Sequence, residues 1–421
     1  MSGAAGPMGG GAGPRVLQVL TRLGAGGPPL FVILLTRELN RLGYNASLVT
    51  GKCDHADLDM SYLLRGDDPV QWVPEMSRSV SVRNDLAAVW HLYRLMRAEK
   101  PDIVQTHTAK AGALGRMAAR LAGVPVVIHT FHGHVMSGYF PRHVSFAIRM
   151  AERLLALLSD AICVLAPQQR RDLVERFRIA GEDKVRVVPL GLELEQFRRL
   201  APPVARADGV LTVGWLGRFV GVKNLPLLVE VVEKTLARNQ RIRFLVAGDG
   251  AEGDCIKAAA ERWGAERFEW LGWTHDVAGV IARCDLLVQT SRNEGTPVAL
   301  IQGMAAGRPF VSTPAGGVVD MVAGEGVAGS AGSRWFSNAV LVEPDADAFA
   351  AVLDRLQGRR DSLASMGQAA AGFACSHYGL ELLARNYAEM YTGLLEARHV
   401  SHAPPPATAS EQPVYRGSWG D

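Results

Sequence analysis

The sequence predicts an α/β protein with two Rossmann-like, doubly wound domains that face each other across a cleft. Three observations support this prediction. At 421 residues the chain is longer than one ordinary domain. Short runs rich in Val, Ile and Leu alternate with helical patterns, which is typical of parallel sheets covered on both faces. The alternation stops at the Pro- and Ala-rich segment Arg199–Gly209 and then starts again, so we place a linker there.

The first half repeats a strand–helix–strand unit that begins with a strand, a Gly-rich turn and a helix. An amphipathic stretch over Val144–Leu158 and a helix over Gln168–Arg178 follow later in the same half. We assign residues 14–200 to this domain and residues 1–13 to a flexible leader. In chain order, its predicted strands are "RVLQVL", "NASLVTG", "PDIVQTHT", "PVVIHTFHGH", "DAICVLA" and "KVRVVPLGLELEQF".

The second half restarts the same alternation, and we assign residues 201–375 to it. A helix within 376–398 is predicted to pack back on the first domain, and residues 399–421 read as a disordered tail. Ligands of doubly wound sheets bind at the carboxyl ends of the strands, so the cleft between the two sheets is the expected site. The predicted strands are "VLTVGWLG", "RIRFLVAGDG", "RFEWLGW", "DLLVQTS" and "PFVSTPAGG".

Composition limits the possible functions. The net charge is +3, which is too small to indicate nucleic-acid binding. The charge is unevenly distributed, since residues 1–200 carry 25 Lys and Arg against 18 Asp and Glu. The five cysteines show no CxxC pair, which favours a reduced, cytoplasmic compartment. No signal peptide or membrane span is expected. The Val144–Leu158 stretch carries Arg149 and Arg153 among apolar residues, which fits either core packing or contact with a membrane surface.

One segment, "EGTPVALIQGMAAG" (Glu294–Gly307), predicts an anion site. Thr296 is a candidate cap for a helix whose first turn begins at Pro297. The free N–H groups of such a helix end bind anions. Glu294 then lies outside this end, and Gln302 lies about 7–8 Å further along the axis. Alternatively, Glu294 only favours the helix dipole, and Gln302 packs between helices.

Two cations strengthen the first interpretation. Arg218 and Lys223, in "GRFVGVKN", follow a buried strand and are expected at the same edge of the sheet. Arg presents a planar fork and Lys a point charge to phosphate oxygens. The "LGAGGPP" loop, with Gly26 and Gly27, lets backbone N–H groups approach a ligand closely. Together these elements predict a diphosphate site.

The chain resembles the family 4 glycosyltransferases, which are retaining enzymes with the two-domain GT-B fold. The matching segments occur in family order between Pro14 and Arg398. The segment "THTAKAGALGRMAARLAGVPVVIHTFHGH" is similar to that of bacterial members that build cell-surface polysaccharides. The matching segments are "GAGGPP", "HTFHGH", "GRFVGVKN", "VAGDG", "FEWLGW" and "EGTPVALIQGMAAGRPFVSTPAGGVVD".

The resemblance implies catalytic roles for His132, Glu294, Arg218 and Lys223. His132 and Glu294 would contact the donor sugar, and the two cations would stabilise the leaving diphosphate. Two positions depart from the family pattern, since Gln302 replaces the second acid that holds the ribose and Asp320 replaces a Glu. The implied donor site comprises Gly26, Gly27, Gly217, Arg218, Lys223, Gly248, Trp273, Glu294, Gly295, Thr296, Val298, Ala299 and Gln302.

His107 and Lys110, at a strand-to-helix turn, are candidates to hold an acceptor phosphate. No metal or other cofactor is expected, because His129 would not share a face with His132 and His134 in an extended segment.

The expected reaction is retaining transfer from a nucleoside-diphosphate sugar, UDP-linked, to a glycan or polyprenyl-linked acceptor in cell-surface polysaccharide synthesis. The expected location is cytoplasmic, with peripheral contact at the inner face of the membrane. Two other functions stay open: nucleotide-sugar epimerisation or hydrolysis in the same architecture, and a non-catalytic sugar-nucleotide-binding subunit.

Overall fold

The computed structural model of the chain describes residues 13–53, 58–77, 79–133, 136, 141–203 and 209–398. The predicted leader, apart from Gly13, and the predicted tail lie outside these residues. His134 and residues 204–208 of the predicted linker also lie outside them.

The first sheet has seven strands, all parallel, in the order β3-β2-β1-β4-β5-β6-β7. Its strands are largely buried, as expected of runs of Val, Ile and Leu. The strands are β1 (Arg15–Arg22), β2 (Asn45–Gly51), β3 (Val70–Trp72), β4 (Ile103–His107), β5 (Val126–Phe131), β6 (Ala161–Val164) and β7 (Val185–Val187).

Among the described residues, six α-helices accompany this sheet. The predicted helix over Gln168–Arg178 is shorter in the structure. Its α-helical part ends at Arg171, and a π-helical turn follows over Asp172–Arg176. The helices are α1 (Gly27–Arg41), α2 (Val82–Glu99), α3 (Ala109–Ala122), α4 (Arg142–Leu157), α5 (Pro167–Arg171) and α6 (Glu195–Arg198).

The second sheet has eight strands in the order β10-β9-β8-β11-β12-β15-β14-β13. Six are parallel, and the short β13 and β14 form an antiparallel extension that the sequence analysis did not predict. The parallel first sheet and the mostly parallel second sheet confirm the predicted α/β fold class. The strands are β8 (Leu211–Leu216), β9 (Ile242–Ala247), β10 (Phe268–Trp270), β11 (Leu286–Gln289), β12 (Phe310–Ser312), β13 (Val327–Ala328), β14 (Ser333–Trp335) and β15 (Ala339–Val342).

The remaining helices are α7 (Leu225–Arg238), α8 (Asp254–Arg267), α9 (Val277–Ala282), α10 (Val298–Ala305), α11 (Ala346–Gln357), α12 (Arg360–His377) and α13 (Leu380–Ala397). α12 packs on α10 of the second domain, and α13 packs on α1 of the first. Tyr387 and Tyr391 of α13 are fully buried. None of the helices among the described residues has the length and apolarity needed to span a bilayer.

Helix α4 presents apolar side chains to solvent. Phe146 is 57% exposed, Leu154 65% and Leu157 74%, whereas Ser145 and Glu152 are buried. Core packing therefore accounts for only part of this stripe, namely Ile148 and Ala156, which join a hydrophobic cluster of the first domain. The buried face also holds an ion pair in which Glu152 Oε2 lies 2.8 Å from Arg116 Nη2 on α3.

Candidate active site

A cavity of about 500 Å³ lies between the carboxyl edges of the two sheets. Its volume is within the usual range for small-molecule sites. The loops after β1 and β5 line it from the first domain, and those after β8, β9 and β11 line it from the second. The residues predicted for the donor site and catalysis all line this cavity: Gly26, Gly27, His132, Gly217, Arg218, Lys223, Gly248, Trp273, Glu294, Gly295, Thr296, Val298, Ala299 and Gln302.

The Gly-rich loop between β1 and α1 lies directly against the second domain. A β-carbon at Gly27 would lie 3.3 Å from Val298 Cγ2 at the start of α10. One at Gly26 would lie 3.7 Å from Arg218 Nη2. Pieces of the predicted diphosphate site that are far apart in sequence therefore meet at contact distance.

The loop that carries Glu294 meets the loop that carries His132. A β-carbon at Gly295 would collide with the carbonyl oxygen of His132, and one at Gly133 would lie 3.5 Å from Gly295 N. Only glycine permits this approach of two main chains. The sequence therefore brings the two groups predicted to contact the donor sugar to the same wall of the cavity.

Glu294 is held by three donors at one carboxylate oxygen. Lys223 Nζ lies 2.6 Å from Glu294 Oε1, and Ser291 Oγ donates to the same oxygen at 2.5 Å. Gln289 Nε2 also donates to it. The Lys223 and Glu294 side chains are 16% and 10% exposed, so the pair is well shielded from solvent. This arrangement fixes the carboxylate and places a cation beside it.

The start of α10 differs from the prediction in one detail. Pro297 occupies the N-cap position and α10 begins at Val298. Thr296 makes no capping hydrogen bond, and its hydroxyl is buried without a partner in the described part of the chain. The predicted Thr296 cap is therefore wrong. The first N–H groups of the helix still begin at the cavity, because Val298 and Ala299 line it.

The groups predicted for the nucleotide also line the cavity. Gly248 N donates to Gly272 O at 2.8 Å, and Trp270 Nε1 donates to Gly248 O at 2.9 Å. These bonds hold the turn after β9 beside Trp273, which is only partly buried. Gln302 lines the same cavity from the second turn of α10.

His132 is connected to a buried partner behind the cavity wall. Its Nε2 lies 2.9 Å from Nδ1 of His107, and Nε2 of His107 lies 2.7 Å from Oε1 of Gln18. Burial lowers the pKa of His132 to about 3 and the pKa of His107 well below its usual value. Both imidazoles are therefore neutral at ordinary pH.

Comparison with known protein families agrees with this geometry. Residues 210–358 match the family described as "Glycosyl transferases group 1", and residues 25–196 match "Glycosyltransferase Family 4". The chain is 30% identical over 262 residues to the Escherichia coli UDP-Gal:alpha-D-GlcNAc-diphosphoundecaprenol alpha-1,3-galactosyltransferase. That match covers 58% of this chain and 66% of the relative, just under two thirds of its length.

The chain belongs to the family 4 glycosyltransferases. A second relative, D-inositol 3-phosphate glycosyltransferase of Nocardia farcinica, is 28% identical over 333 residues, which are 72% of this chain and 68% of the relative.

Solved structures of other proteins superpose on most of this chain, which confirms the GT-B fold predicted from the sequence. Sucrose-phosphate synthase from Thermosynechococcus elongatus superposes with a TM-score of 0.75 at 20% identity, over 91% of this chain and 100% of that one. Anabaena HepE in complex with UDP and glucose superposes with a TM-score of 0.70 at 18% identity, over 89% and 99%.

The acceptor prediction for the first domain needs correction in this glycosyltransferase. His107 is fully buried and bonded to His132 and Gln18, so no phosphate reaches it. Lys110 does not line the cavity, and its Nζ lies 2.6 Å from Asp85 Oδ1. The strand-to-helix position alone did not reveal that both side chains already have protein partners.

His129, which the sequence analysis considered as a metal ligand, is structural. His129 is buried, and its Nδ1 lies 2.9 Å from Thr106 Oγ1. No cluster of three or more His, Cys, Asp or Glu side chains within the described ranges is arranged to hold a metal ion.

Asp320, which departs from the family pattern, connects the two domains. Its Oδ2 accepts the backbone N–H of Gln168 at 2.7 Å, at the start of α5 in the first domain. Burial raises the pKa of Asp320, while this bond and Arg171 act in the opposite direction.

The sequence analysis missed several residues that line the cavity or support a residue that does. Gln289 and Ser291 orient Glu294, and their polar side chains at the end of the apolar run "DLLVQTS" were the available signal. Tyr62 and His275 pack edge to face across the cleft, with ring centroids 4.1 Å apart. Neither residue belongs to a motif, so no sequence signal pointed to this contact.

Proposed function

We propose that this family 4 glycosyltransferase is a retaining enzyme that transfers a sugar from a nucleoside-diphosphate sugar, UDP-linked, to a glycan or polyprenyl-linked acceptor in cell-surface polysaccharide synthesis. The observation that carries the proposal is the meeting of Arg218, Lys223 and the first turn of α10 at one cavity. The Escherichia coli relative, whose name contains UDP-Gal and a diphosphoundecaprenol acceptor, supports the choice of donor and acceptor.

In the proposed reaction the diphosphate leaves with two cations at its side. Arg218 and Lys223 offset the negative charge that grows on the leaving oxygen, and the N–H groups at the start of α10 add a positive dipole. Such preorganised groups act most strongly in a site from which water is excluded.

The sugar end is bound by Glu294 and His132. Glu294, fixed by Ser291 and Gln289, accepts hydrogen bonds from sugar hydroxyls. Since three donors already engage Glu294 Oε1, we assign it a binding role rather than that of a nucleophile. The acceptor hydroxyl then attacks the anomeric carbon on the face from which the diphosphate departs. The new glycosidic bond forms as the bond between that carbon and the diphosphate oxygen breaks, and the proton of the hydroxyl passes to the departing phosphate oxygen.

The test measures release of UDP from a panel of UDP-sugars with and without a polyprenyl-diphosphate-linked acceptor. Release that depends on the acceptor supports transfer, and release without acceptor indicates hydrolysis. A donor that raises the melting temperature without any turnover indicates a non-catalytic binding subunit.

A matched pair of lysine variants links this activity to the site. Lys223→Ala should lower kcat by about 10²–10³, the usual cost of losing one preorganised charge-stabilising group. Lys234→Ala is the control, because Lys234 pairs with Asp347 and does not line the cavity. Equal activity of the two variants contradicts the proposed role of Lys223.

We also propose that the first domain contacts the inner face of the membrane. α4 exposes a row of apolar side chains one helical turn apart, and Arg149 and Arg153 lie beside it. Apolar residues flanked by arginines are typical of helices that lie on anionic lipid surfaces. The exposed apolar residues of α4 are Phe146, Met150, Leu154 and Leu157.

Cosedimentation with vesicles tests this contact. The chain should bind vesicles that contain anionic lipid more strongly than neutral ones. The double variant Phe146→Ser/Leu154→Ser should lose most of the binding without loss of stability, since both side chains are exposed. Binding that is unchanged in this variant excludes α4 as the contact surface.

A further inference from the structure

A chain of buried hydrogen bonds runs from the cavity to the C-terminal helix. It starts at His132, passes through His107 and Gln18, and reaches the hydroxyl of Tyr391 on α13. Gln18, His107 and Tyr391 are fully buried. Gln18 lies on β1 and His107 is the last residue of β4. These hydrogen bonds therefore connect residues that are far apart in sequence.

Each link constrains the next, because every group has a fixed number of donors and acceptors. Gln18 Nε2 donates to Tyr391 Oη at 3.3 Å, and Tyr391 Oη donates to Gln105 Oε1. Gln105 Nε2 in turn donates to Thr130 Oγ1 at 2.7 Å. This direction leaves Gln18 Oε1 as the atom that faces His107.

The direction then sets the protons on both imidazoles. Gln18 Oε1 accepts from Nε2 of His107 at 2.7 Å, so His107 carries its proton there. Nδ1 of His107 is then an acceptor, and the proton in the 2.9 Å contact with His132 belongs to Nε2 of His132. In a neutral imidazole the other nitrogen, Nδ1, is an acceptor.

We infer that Tyr391, Gln18 and His107 are positioning residues that hold His132 as the tautomer with its proton on Nε2 and Nδ1 free to accept. Within the proposed function, on which this role rests, His132 accepts a hydrogen bond from a donor-sugar hydroxyl and supplies no proton. The pKa of His132, lowered by burial to about 3, is consistent with a ring that stays neutral.

The tautomer is measured directly by NMR of the full chain with ¹⁵N-labelled histidine, because protonated and unprotonated ring nitrogens have well-separated shifts. His132→Asn identifies the His132 signals by their loss. The wild-type spectrum should show the proton on Nε2. A proton on Nδ1 overturns the inference, since it means that the whole chain of bonds runs in the opposite direction.

Two tyrosine variants separate positioning from stability. Tyr391→Phe removes the hydroxyl that orients Gln18, so His132 should show a mixture of tautomers and kcat should fall by about 10- to 100-fold, as for other lost supporting bonds. Tyr44→Phe is the matched control. Tyr44 is buried, packs against the ring of Tyr391 and donates to Ala388 O of the same helix.

Tyr44→Phe should keep the wild-type tautomer and kcat even if its melting temperature falls. A Tyr391→Phe variant that folds and keeps the wild-type tautomer overturns the link to α13. If Tyr391→Phe does not fold, Gln18→Leu serves the same purpose, and the wild-type spectrum still decides the tautomer. The spectrum does not depend on turnover, so failure of the proposed transferase activity is distinguished from failure of this inference.

Discussion

Lowering the pH from 7.0 to 5.5 should destabilise the protein through three imidazoles whose pKa is lowered in the folded chain. Burial lowers the pKa of His107, His129 and His132 below the ordinary value of 6.5. The folded state therefore binds fewer protons than the unfolded state. The contribution of these histidines to the free energy of unfolding is fully present above pH 6.5. It is lost as the pH falls from 6.5 toward the folded pKa, which is about 3 for His132.

The size of the effect follows from proton linkage. A histidine that titrates at 6.5 when unfolded and stays neutral when folded loses about 1.3 kcal/mol between pH 7.0 and 5.5, so three lose roughly 4 kcal/mol. That is a large part of a typical stability of about 5–15 kcal/mol. Burial also lowers the pKa of His377, which acts in the same direction.

Urea denaturation at the two pH values, followed by circular dichroism, measures this change. His129→Gln should reduce the change between the two pH values by about 1.3 kcal/mol, whatever its effect at pH 7.0. His91→Gln, which removes a half-exposed imidazole, is the control for the loss of a histidine at the surface. A wild-type free energy of unfolding that changes by less than about 1 kcal/mol between the two pH values would show that the imidazoles are not neutral in the folded chain.

Three further predictions concern stability and reactivity. Gly248→Ala should lower the stability by about 1–3 kcal/mol in denaturation, because φ is +153° and a β-carbon would collide with Gly217 O; an unchanged melting temperature contradicts this. Arg116→Met should cost about 3–5 kcal/mol, since it leaves Glu152 buried without its ion pair, and the double variant with Glu152→Leu should recover most of the loss. Burial raises the pKa of the Cys163 thiol to about 12, so Cys163 should react with a thiol reagent only after unfolding, and its labelling in the native chain disproves this.

Those parts of the fold and site that depend on local sequence and on sheet geometry could be predicted. Strands of Val, Ile and Leu indicated parallel sheets, and the carboxyl-edge rule then placed Arg218, Lys223 and Glu294 in one cleft. Their side chains follow different strands, but parallel strands end at the same edge. This is why residues separated by about seventy positions, such as Lys223 and Glu294, could be placed together before any contact was known.

Features that depend on long-range packing could not be predicted. Gln18 meets Tyr391 across 373 positions, and nothing in "RVLQVL" shows what a buried glutamine bonds to. Likewise, periodicity identified the apolar stripe of α4 but could not say that Ser145 and Glu152, rather than Phe146 and Leu154, face the protein. The face that α4 turns toward the protein is determined by Arg116, the buried partner of Glu152, which lies on α3.

Some contacts between the domains are made by main-chain atoms. Gly295 approaches the His132 carbonyl, and Asp320 accepts a backbone N–H across the interface, while Gly27 lies close to the Val298 side chain. The wall of the cavity that carries Glu294 and His132 is therefore held by contacts that do not involve the Gln302 side chain. Replacing the family's second acid by Gln302 should then alter hydrogen bonding to the ribose, since an amide both donates and accepts, while the geometry around Glu294 and His132 stays the same.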